Sequence, residues 1–165
     1  MSDLAAFTRA LTNAADPAEG FAALCTLSER TVGHTLFTLM TFDRTHNEAR
    51  RIYSSRPEAY PVSGTKPTPA NAWADQVLRR HEPFVANTIE AIADFFPDHA
   101  LIASLGCGSI LNLPVVAGGE ALGTINCLHA ARHYTPERVA ASAALSLPGV
   151  ACFLFHLHRL DKGGP

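Results

Sequence analysis

The segment from Tyr53 to Trp73 carries side chains suited to binding a small polar molecule. It combines hydroxyls and aromatic rings with one guanidinium, Arg56, and one ammonium, Lys66. Arginine binds a carboxylate or phosphate through two parallel hydrogen bonds, and lysine adds a point charge. The segment is therefore a candidate anion site, with Tyr60 as a further polar contact. The alternative is a solvated loop, because lysine and arginine side chains are usually exposed.

The cysteines and histidines give little support for thiol or metal chemistry. No CxxC pair and no Cys/His cluster at zinc-finger spacing occurs, so free thiols and no structural metal are expected at Cys25, Cys107, Cys127 and Cys152. His129 and His133 could share a helical face, but no carboxylate or cysteine stands at matching spacing. No Ser/His/Asp arrangement or carboxylate pair suggests a hydrolase, and no catalytic residue is assigned.

Composition excludes several classes of partner. The net charge is −2 with no basic block, which argues against binding nucleic acid or a membrane surface. No continuous apolar run approaches the roughly 18 residues of a membrane-spanning helix. The first twenty residues lack the apolar core of a signal peptide. A cytoplasmic protein is expected.

The chain length of 165 residues predicts one domain, 1–165, with a core over about 17–160 and a flexible tail over 161–165. Hydrophobic spacing and breaker residues predict the elements along it. These are two amphipathic helices within 2–33, a hairpin of 35–43 and 49–54, a proline-rich loop over 56–71, a short helix over 72–80, a strand at 84–86, short helices over 89–96 and 99–105, a hairpin of 108–116 and 121–128, and a helix from 136 to about 160.

The second hairpin and the start of the last helix carry a family resemblance. Leu113-Pro114, the Gly118-Gly119 turn, Leu122-Gly123 and Thr135-Pro136-Glu137 follow one another in the order found in GAF domains. The chain resembles that family from about Pro17 to Leu160. The resemblance implies an α+β fold with a central antiparallel sheet of five or six strands. The N- and C-terminal helices would cover one face, and loops and short helices would enclose a ligand pocket on the other.

Strand alternation then sorts the second hairpin by face. Leu111, Leu113, Val115, Ile125 and Cys127 are expected on the helix side. The pocket side would receive Ile110, Asn112, Pro114, Thr124, Asn126 and Leu128. An unpaired buried amide costs about 1 to 3 kcal/mol, so both asparagines must find partners. Those partners are either a ligand or hydrogen bonds within the protein.

The resemblance also suggests cofactors. In phytochromes, which are built on the same domain type, a histidine placed like His99 contacts the bilin, so a tetrapyrrole or haem is one possibility. The other is that His99 lies at the surface or caps a helix. The Asn-Lys…Phe…Asp-Glu signature of the cyclic-nucleotide-binding members is not reproduced, so no cyclic nucleotide is expected.

Three function classes remain open. The first is a stand-alone sensory or regulatory module that binds a small molecule between the sheet and the 56–105 loops. The second is a small enzyme that uses Arg56, Tyr60, His99 or Cys107 on a small anionic metabolite. Free methionine-(R)-sulfoxide reductase chemistry is not expected, because no cysteine lies between Tyr53 and Gly106.

The third class is an interaction protein. Family members often dimerise through their first and last helices, and a homodimer is expected here. The residues expected to contact a ligand are Met40, Tyr53, Arg56, Tyr60, Lys66, Trp73, Phe95, His99, Ile110, Asn112, Asn126 and Leu128.

Overall fold

The computed structural model describes residues 1–62 and 64–163. Two capped helices begin the chain, as predicted: α1, Asp3–Asn13, and α2, Pro17–Thr31. The Ser2 hydroxyl accepts a hydrogen bond from the Ala5 amide, and the Asp16 carboxylate accepts one from the Glu19 amide. Both bonds satisfy amides that have no partner within the helix. The break at Asp16-Pro17 is therefore a new helix start.

An antiparallel sheet follows, in the order β3-β2-β1-β6-β5-β4. Its strands in the described residues are β1, Leu36–Asp43; β2, Glu48–Ser54; β3, Lys66–Pro67; β4, Phe84–Ala86; β5, Ser109–Ala117; and β6, Glu120–His129. Six strands agree with the predicted five or six. The two-residue strand β3 lies within the predicted proline-rich loop over 56–71, and proline is tolerated there because the strand lies at the sheet edge.

One face of the sheet is covered by α1, α2 and the C-terminal helix. The predicted alternation is confirmed, because Leu111, Leu113, Val115, Ile125 and Cys127 all lie in this core. Gly123 of β6 shows how closely the layers approach. A Cβ at this position would overlap the Met40 carbonyl oxygen and the Phe153 ring. The glycine of the Leu122-Gly123 pair is thus required by packing.

Short helical segments cover the other face, and each is shorter or less regular than predicted. α3, Ala72–Ala74, continues as a π-helical turn over Asp75–Arg79, and α4 and α5 span Ile89–Ala93 and His99–Ser104. A second apolar cluster forms beneath them. Its members include Trp73, Val77, Ile92, Ile102, Ile110 and Leu128.

The C-terminal helix is interrupted, although one continuous helix was predicted. α6, Pro136–Ala141, passes through a 3₁₀ turn, Ser142–Leu145, into α7, Ser146–Lys162. Two residues of the predicted tail, 161 and 162, are therefore helical, while Gly164 and Pro165 lie outside the described residues.

The helical stretch Pro136–Lys162 is long and apolar enough to span a membrane by length and composition alone. The sequence prediction considered only continuous apolar runs. It did not detect this stretch because small and polar residues interrupt the apolar ones. Cys152 and Phe153 of this stretch are buried against the sheet and α2. A helix that covers a core passes the same test, so it is weak support for a membrane span.

Candidate ligand cavity

A cavity of about 390 Å³ lies between the sheet and the segments that follow β2 and α4. Its walls are largely aromatic, and its floor is formed by the inward side chains of β1, β5 and β6. Trp73 packs against Phe42 and Phe96 with ring centroids 6.0 and 6.2 Å apart, and Phe95 also lines the space. A volume of this size with few polar groups is typical of small-molecule sites.

A chain of buried hydrogen bonds crosses the floor. Trp73 Nε1 donates to Asn112 Oδ1 at 2.9 Å, and Asn112 Nδ2 donates to Asn126 Oδ1 at 2.7 Å. Asn126 Nδ2 then donates to Thr38 Oγ1 at 3.2 Å. Asn112 and Asn126 are paired across β5 and β6, and Thr38 is opposite Asn126 on β1. The two asparagines therefore satisfy each other in part, which was one of the two alternatives raised by the sequence.

Thr124 is the exception on this floor. It is fully buried, it lines the cavity, and its hydroxyl has no hydrogen-bond partner within the described chain. A buried hydroxyl without a partner loses its hydrogen bonds to water without replacement, at a cost of about 1 to 3 kcal/mol. The cavity floor thus holds one buried polar atom that the described chain leaves unsatisfied.

A β-bulge in β2 brings a cation into the cavity. Leu39 of β1 pairs with Tyr53, but the next residue, Met40, pairs with Arg51, so Ile52 is the extra residue. Regular alternation would turn Arg51 toward the helix side. The bulge instead places Arg51 on the cavity side, and bulges often re-aim side chains next to functional sites.

Arg51 is held in place by the chain that follows β2. Its Nη1 donates to the Pro61 carbonyl at 2.8 Å, and its guanidinium lies over the Tyr60 ring, 3.9 Å from the centroid. The Tyr60 hydroxyl donates to Asp98, which also lines the cavity. Burial lowers the pKa of Arg51, and the nearby Asp98 carboxylate opposes that shift. The Arg51 Nε is buried with no hydrogen-bond partner in residues 1–62 and 64–163.

Lys66 of β3 is the second cation at the cavity. Burial around its ammonium lowers its pKa, and the positive charge of Arg51 lowers it further. Neither Arg51 nor Lys66 makes an ion pair with a described carboxylate. Lys66 is exposed on the edge strand, so the two cations repel each other across a space that solvent reaches from the Lys66 side.

The structure brings nine of the twelve predicted contact residues to this cavity. They are Met40, Tyr60, Lys66, Trp73, Phe95, Ile110, Asn112, Asn126 and Leu128. Sequence reasoning missed Arg51, Phe42, Phe96 and Asp98 as lining residues. The sequence of β2 gives no local signal for a bulge, so it could not show that Arg51 and Tyr53 lie on opposite faces.

The structure places the other three predicted residues elsewhere. Tyr53 points to the helix side, where its ring packs against Phe21 and Phe37 with centroids 6.0 and 5.9 Å away. Arg56 pairs with Glu58, with Nε and Oε1 3.5 Å apart, outside the cavity lining. His99 also lies outside the lining, and its Nδ1 is 3.0 Å from the Phe96 carbonyl oxygen. The bulge accounts for the helix-side position of Tyr53. Arg56 is held by its pair with Glu58, and His99 by its contact with the Phe96 carbonyl.

The lining gives no support for a histidine- or cysteine-ligated haem or for a covalently attached tetrapyrrole. None of the cavity residues in the described chain is a histidine or a cysteine, so neither of these axial ligands and no thiol for a covalent link lies in the lining. Cys107 is buried beside the cavity region, and burial raises the pKa of its thiol. A thiol held protonated is a poor nucleophile, so this site also gives no support for thiol catalysis.

The antiparallel sheet with helices on one face and a cavity on the other defines a class of α+β domain, and comparison with known proteins identifies the family. The model of the GAF domain family matches residues 2–146. The chain belongs to the GAF domain family. No curated protein sequence matches the chain.

Solved structures share the fold at low sequence identity. The GAF domain of a phosphoenolpyruvate-protein phosphotransferase from Coxiella burnetii is 17% identical, with a TM-score of 0.71, and the match covers 98% of this chain and 94% of that one. The corresponding Acinetobacter domain is 12% identical, with a TM-score of 0.73 and coverage of 98% and 99%. The chromophore-binding domain of a bacteriophytochrome from R. palustris is 13% identical, with a TM-score of 0.69 and coverage of 96% and 61%.

Proposed function

We propose that this GAF domain binds a small molecule in the cavity and acts as a sensory or regulatory module. The observation that carries the proposal is the polar floor under aromatic walls: a continuous amide network beside one buried hydroxyl, Thr124, that has no partner in the described chain. A core built only for stability would hold apolar side chains at such positions. Polar groups that fix a ligand's orientation are a reason to retain them.

Trp73 gives a direct test, because it is the only tryptophan in the chain and lines the cavity. Native mass spectrometry of protein purified from its natural host is expected to show a small adduct. Removing and restoring that adduct should change the Trp73 fluorescence. A mass equal to the bare chain, together with no fluorescence response to any compound in a metabolite library, would contradict the proposal.

Two neighbouring positions on β2 supply a matched pair of variants. Ala49 is buried and lines the cavity, whereas Arg50 points to the opposite face near His156. Ala49→Leu fills part of the cavity and is expected to weaken the adduct. Arg50→Leu places the same side chain outside the cavity and should leave it unchanged. Equal effects from both would argue against binding in the cavity.

We propose that the chain forms a homodimer, and that a change in this dimer transmits ligand binding to other proteins. Apolar side chains of α7 remain exposed along one stripe, with Leu147 79%, Leu154 48% and Leu157 38% accessible, and Leu4 of α1 is 55% accessible. Such a stripe would be covered by a second copy of the chain. Light scattering is expected to give twice the chain mass, and Leu154→Glu with Leu157→Glu should reduce it to one chain. A wild-type mass of one chain would remove the dimer.

The proposal of a cytoplasmic location rests on the net charge and its distribution alone. A net charge of −2 without a basic block supports a cytoplasmic module with no nucleic-acid or membrane-surface partner. Cell fractionation tests this expectation, and recovery in the membrane fraction would contradict it.

A further inference from the structure

We propose that the ligand is a small organic monocarboxylate with a ring-shaped apolar body. Its carboxylate would lie between Arg51 and Lys66, the body between the aromatic walls, and a hydrogen-bonding group at its far end beside Thr124. This inference rests on the proposed function and adds the chemical class of the ligand.

The charge balance of the cavity calls for an anion. The charged groups that line it in the described chain are Arg51, Lys66 and Asp98, so one positive charge is left over. The Asp98 carboxylate already accepts a hydrogen bond from Tyr60. An anion placed near both cations would relieve their mutual repulsion and compensate their desolvation.

The leftover charge favours a carboxylate over a phosphate monoester. A carboxylate carries a single negative charge at neutral pH, which matches one uncompensated cation. A phosphate monoester carries about 1.5 to 2 negative charges and would leave the cavity with a surplus of negative charge. Arginine also recognises a planar carboxylate through two parallel hydrogen bonds.

Strand register sets the spacing of the two backbone positions from which the anchoring side chains project. Arg51 pairs with Met40, and Met40 pairs with Thr124, so the three residues form one row across β2, β1 and β6. Two strand spacings put the backbones of Arg51 and Thr124 about 10 Å apart. A molecule made of one ring and a short chain spans that row, with its carboxylate at one end and a hydroxyl at the other.

The walls favour a flat body. Phe42, Trp73 and Phe96 meet in tilted or edge-to-face contacts around the space, and Phe95 lies beside them. Aromatic rings bury large apolar area and prefer offset or edge contacts with another ring. A ring in the ligand would continue this arrangement, whereas a fully polar acid would leave the walls without apolar contacts.

Four probes with the same phenyl body test the charge preference. They are 3-phenylpropionate, its neutral amide 3-phenylpropionamide, the cation 3-phenylpropylamine and 2-phenylethyl phosphate. Binding is measured by Trp73 fluorescence and by titration calorimetry on the full chain. We expect the carboxylate to bind at least tenfold more tightly than each of the other three, because hydrogen bonds to charged groups are worth about one order of magnitude in affinity.

Adjacent arginines on β2 provide the matched variants. Arg51→Met removes the cation from the cavity and retains an apolar stem, and it should weaken 3-phenylpropionate binding about tenfold while weakening amide binding less. Arg50→Met removes the same charge from the opposite face and should change neither. Lys66→Met should weaken the carboxylate to a smaller extent. Circular dichroism and urea unfolding confirm that each variant is folded.

The outcomes separate this inference from the proposed function. Equal binding of carboxylate and amide, or tighter binding of the amine or the phosphate, overturns the monocarboxylate while leaving a ligand-binding cavity in place. An unchanged carboxylate affinity in folded Arg51→Met also overturns it. Failure of all four probes to bind, combined with a bare-chain mass from the natural host, counts against both.

Discussion

The two faces of the sheet are built from alternate residues of the same strands, yet they differ in chemistry. On the helix side, Leu113, Ile125 and Phe153 belong to a closely packed apolar core. On the cavity side, Asn112 and Asn126 fill the positions between, with amides hydrogen-bonded to one another. At Leu113, Ile125 and their neighbours the helix side presents apolar side chains, whereas the cavity side retains polar atoms at a cost in stability. The larger apolar core and the proposed binding site are therefore on opposite faces of one sheet.

The largest expected difference between the faces comes from truncating one phenylalanine on each. Phe153→Ala removes a fully buried ring and should lower the free energy of unfolding by about 4 kcal/mol. Phe95→Ala removes a partly exposed cavity ring and should cost less than half as much, while weakening binding of 3-phenylpropionate. Urea unfolding and Trp73 fluorescence measure the two effects. If Phe95→Ala destabilised the chain as strongly as Phe153→Ala, the faces would not differ as described.

The next effect concerns the amide network. Asn126→Ala removes the acceptor of Asn112 Nδ2 and the donor to Thr38, and should lower the free energy of unfolding by about 2 kcal/mol. Because Asn112 also accepts from the Trp73 indole, the emission maximum of Trp73 should shift as well. Denaturant titration followed by tryptophan emission records both. No change in either quantity would mean that the network does not hold the floor.

A smaller effect, of opposite sign, is expected at the hydroxyl without a partner. Thr124→Val keeps the shape and removes the buried polar atom, so it should raise the free energy of unfolding by about 1 kcal/mol. The same change should abolish any extra affinity of 3-(4-hydroxyphenyl)propionate over 3-phenylpropionate. Ligand-free protein is used for the unfolding measurement. A loss of stability in Thr124→Val would show that the hydroxyl already has a partner.

The smallest expected effect is a pH dependence of stability that arises from a histidine on the helix side. Burial lowers the pKa of His156, which packs against Phe21, and the charge of Arg50 lowers it further. A histidine with a lowered folded pKa contributes stability above its unfolded pKa of about 6.5, and that stability is lost as the pH falls toward the folded value. His156→Gln should therefore reduce the loss of stability on acidification. The midpoint of urea unfolding at neutral and mildly acidic pH tests this, and an unchanged acid sensitivity would contradict it.

The sequence determined the fold and the sorting of residues on the second hairpin. Strand alternation along 108–116 and 121–128, together with the plan of the family that the sequence resembles, assigned Leu111 and Ile125 to one face and Asn112 and Asn126 to the other. The motif residues around Gly123 indicated the family before any contact was known. Such signals are local, because side-chain direction in a regular strand depends only on the backbone period.

Only the tertiary structure decided which cation enters the cavity and what satisfies the asparagines. The bulge at Ile52 exists only in the pairing of β2 with β1, and it places Arg51 and Tyr53 on opposite faces, whereas regular alternation would put these two residues on the same face. The partner of Asn112 is Trp73, 39 residues away in sequence, and Tyr60 meets Asp98 across 38 residues. Strand register and contacts between distant segments are set by how the whole chain packs, because no residue's own neighbours in sequence specify them.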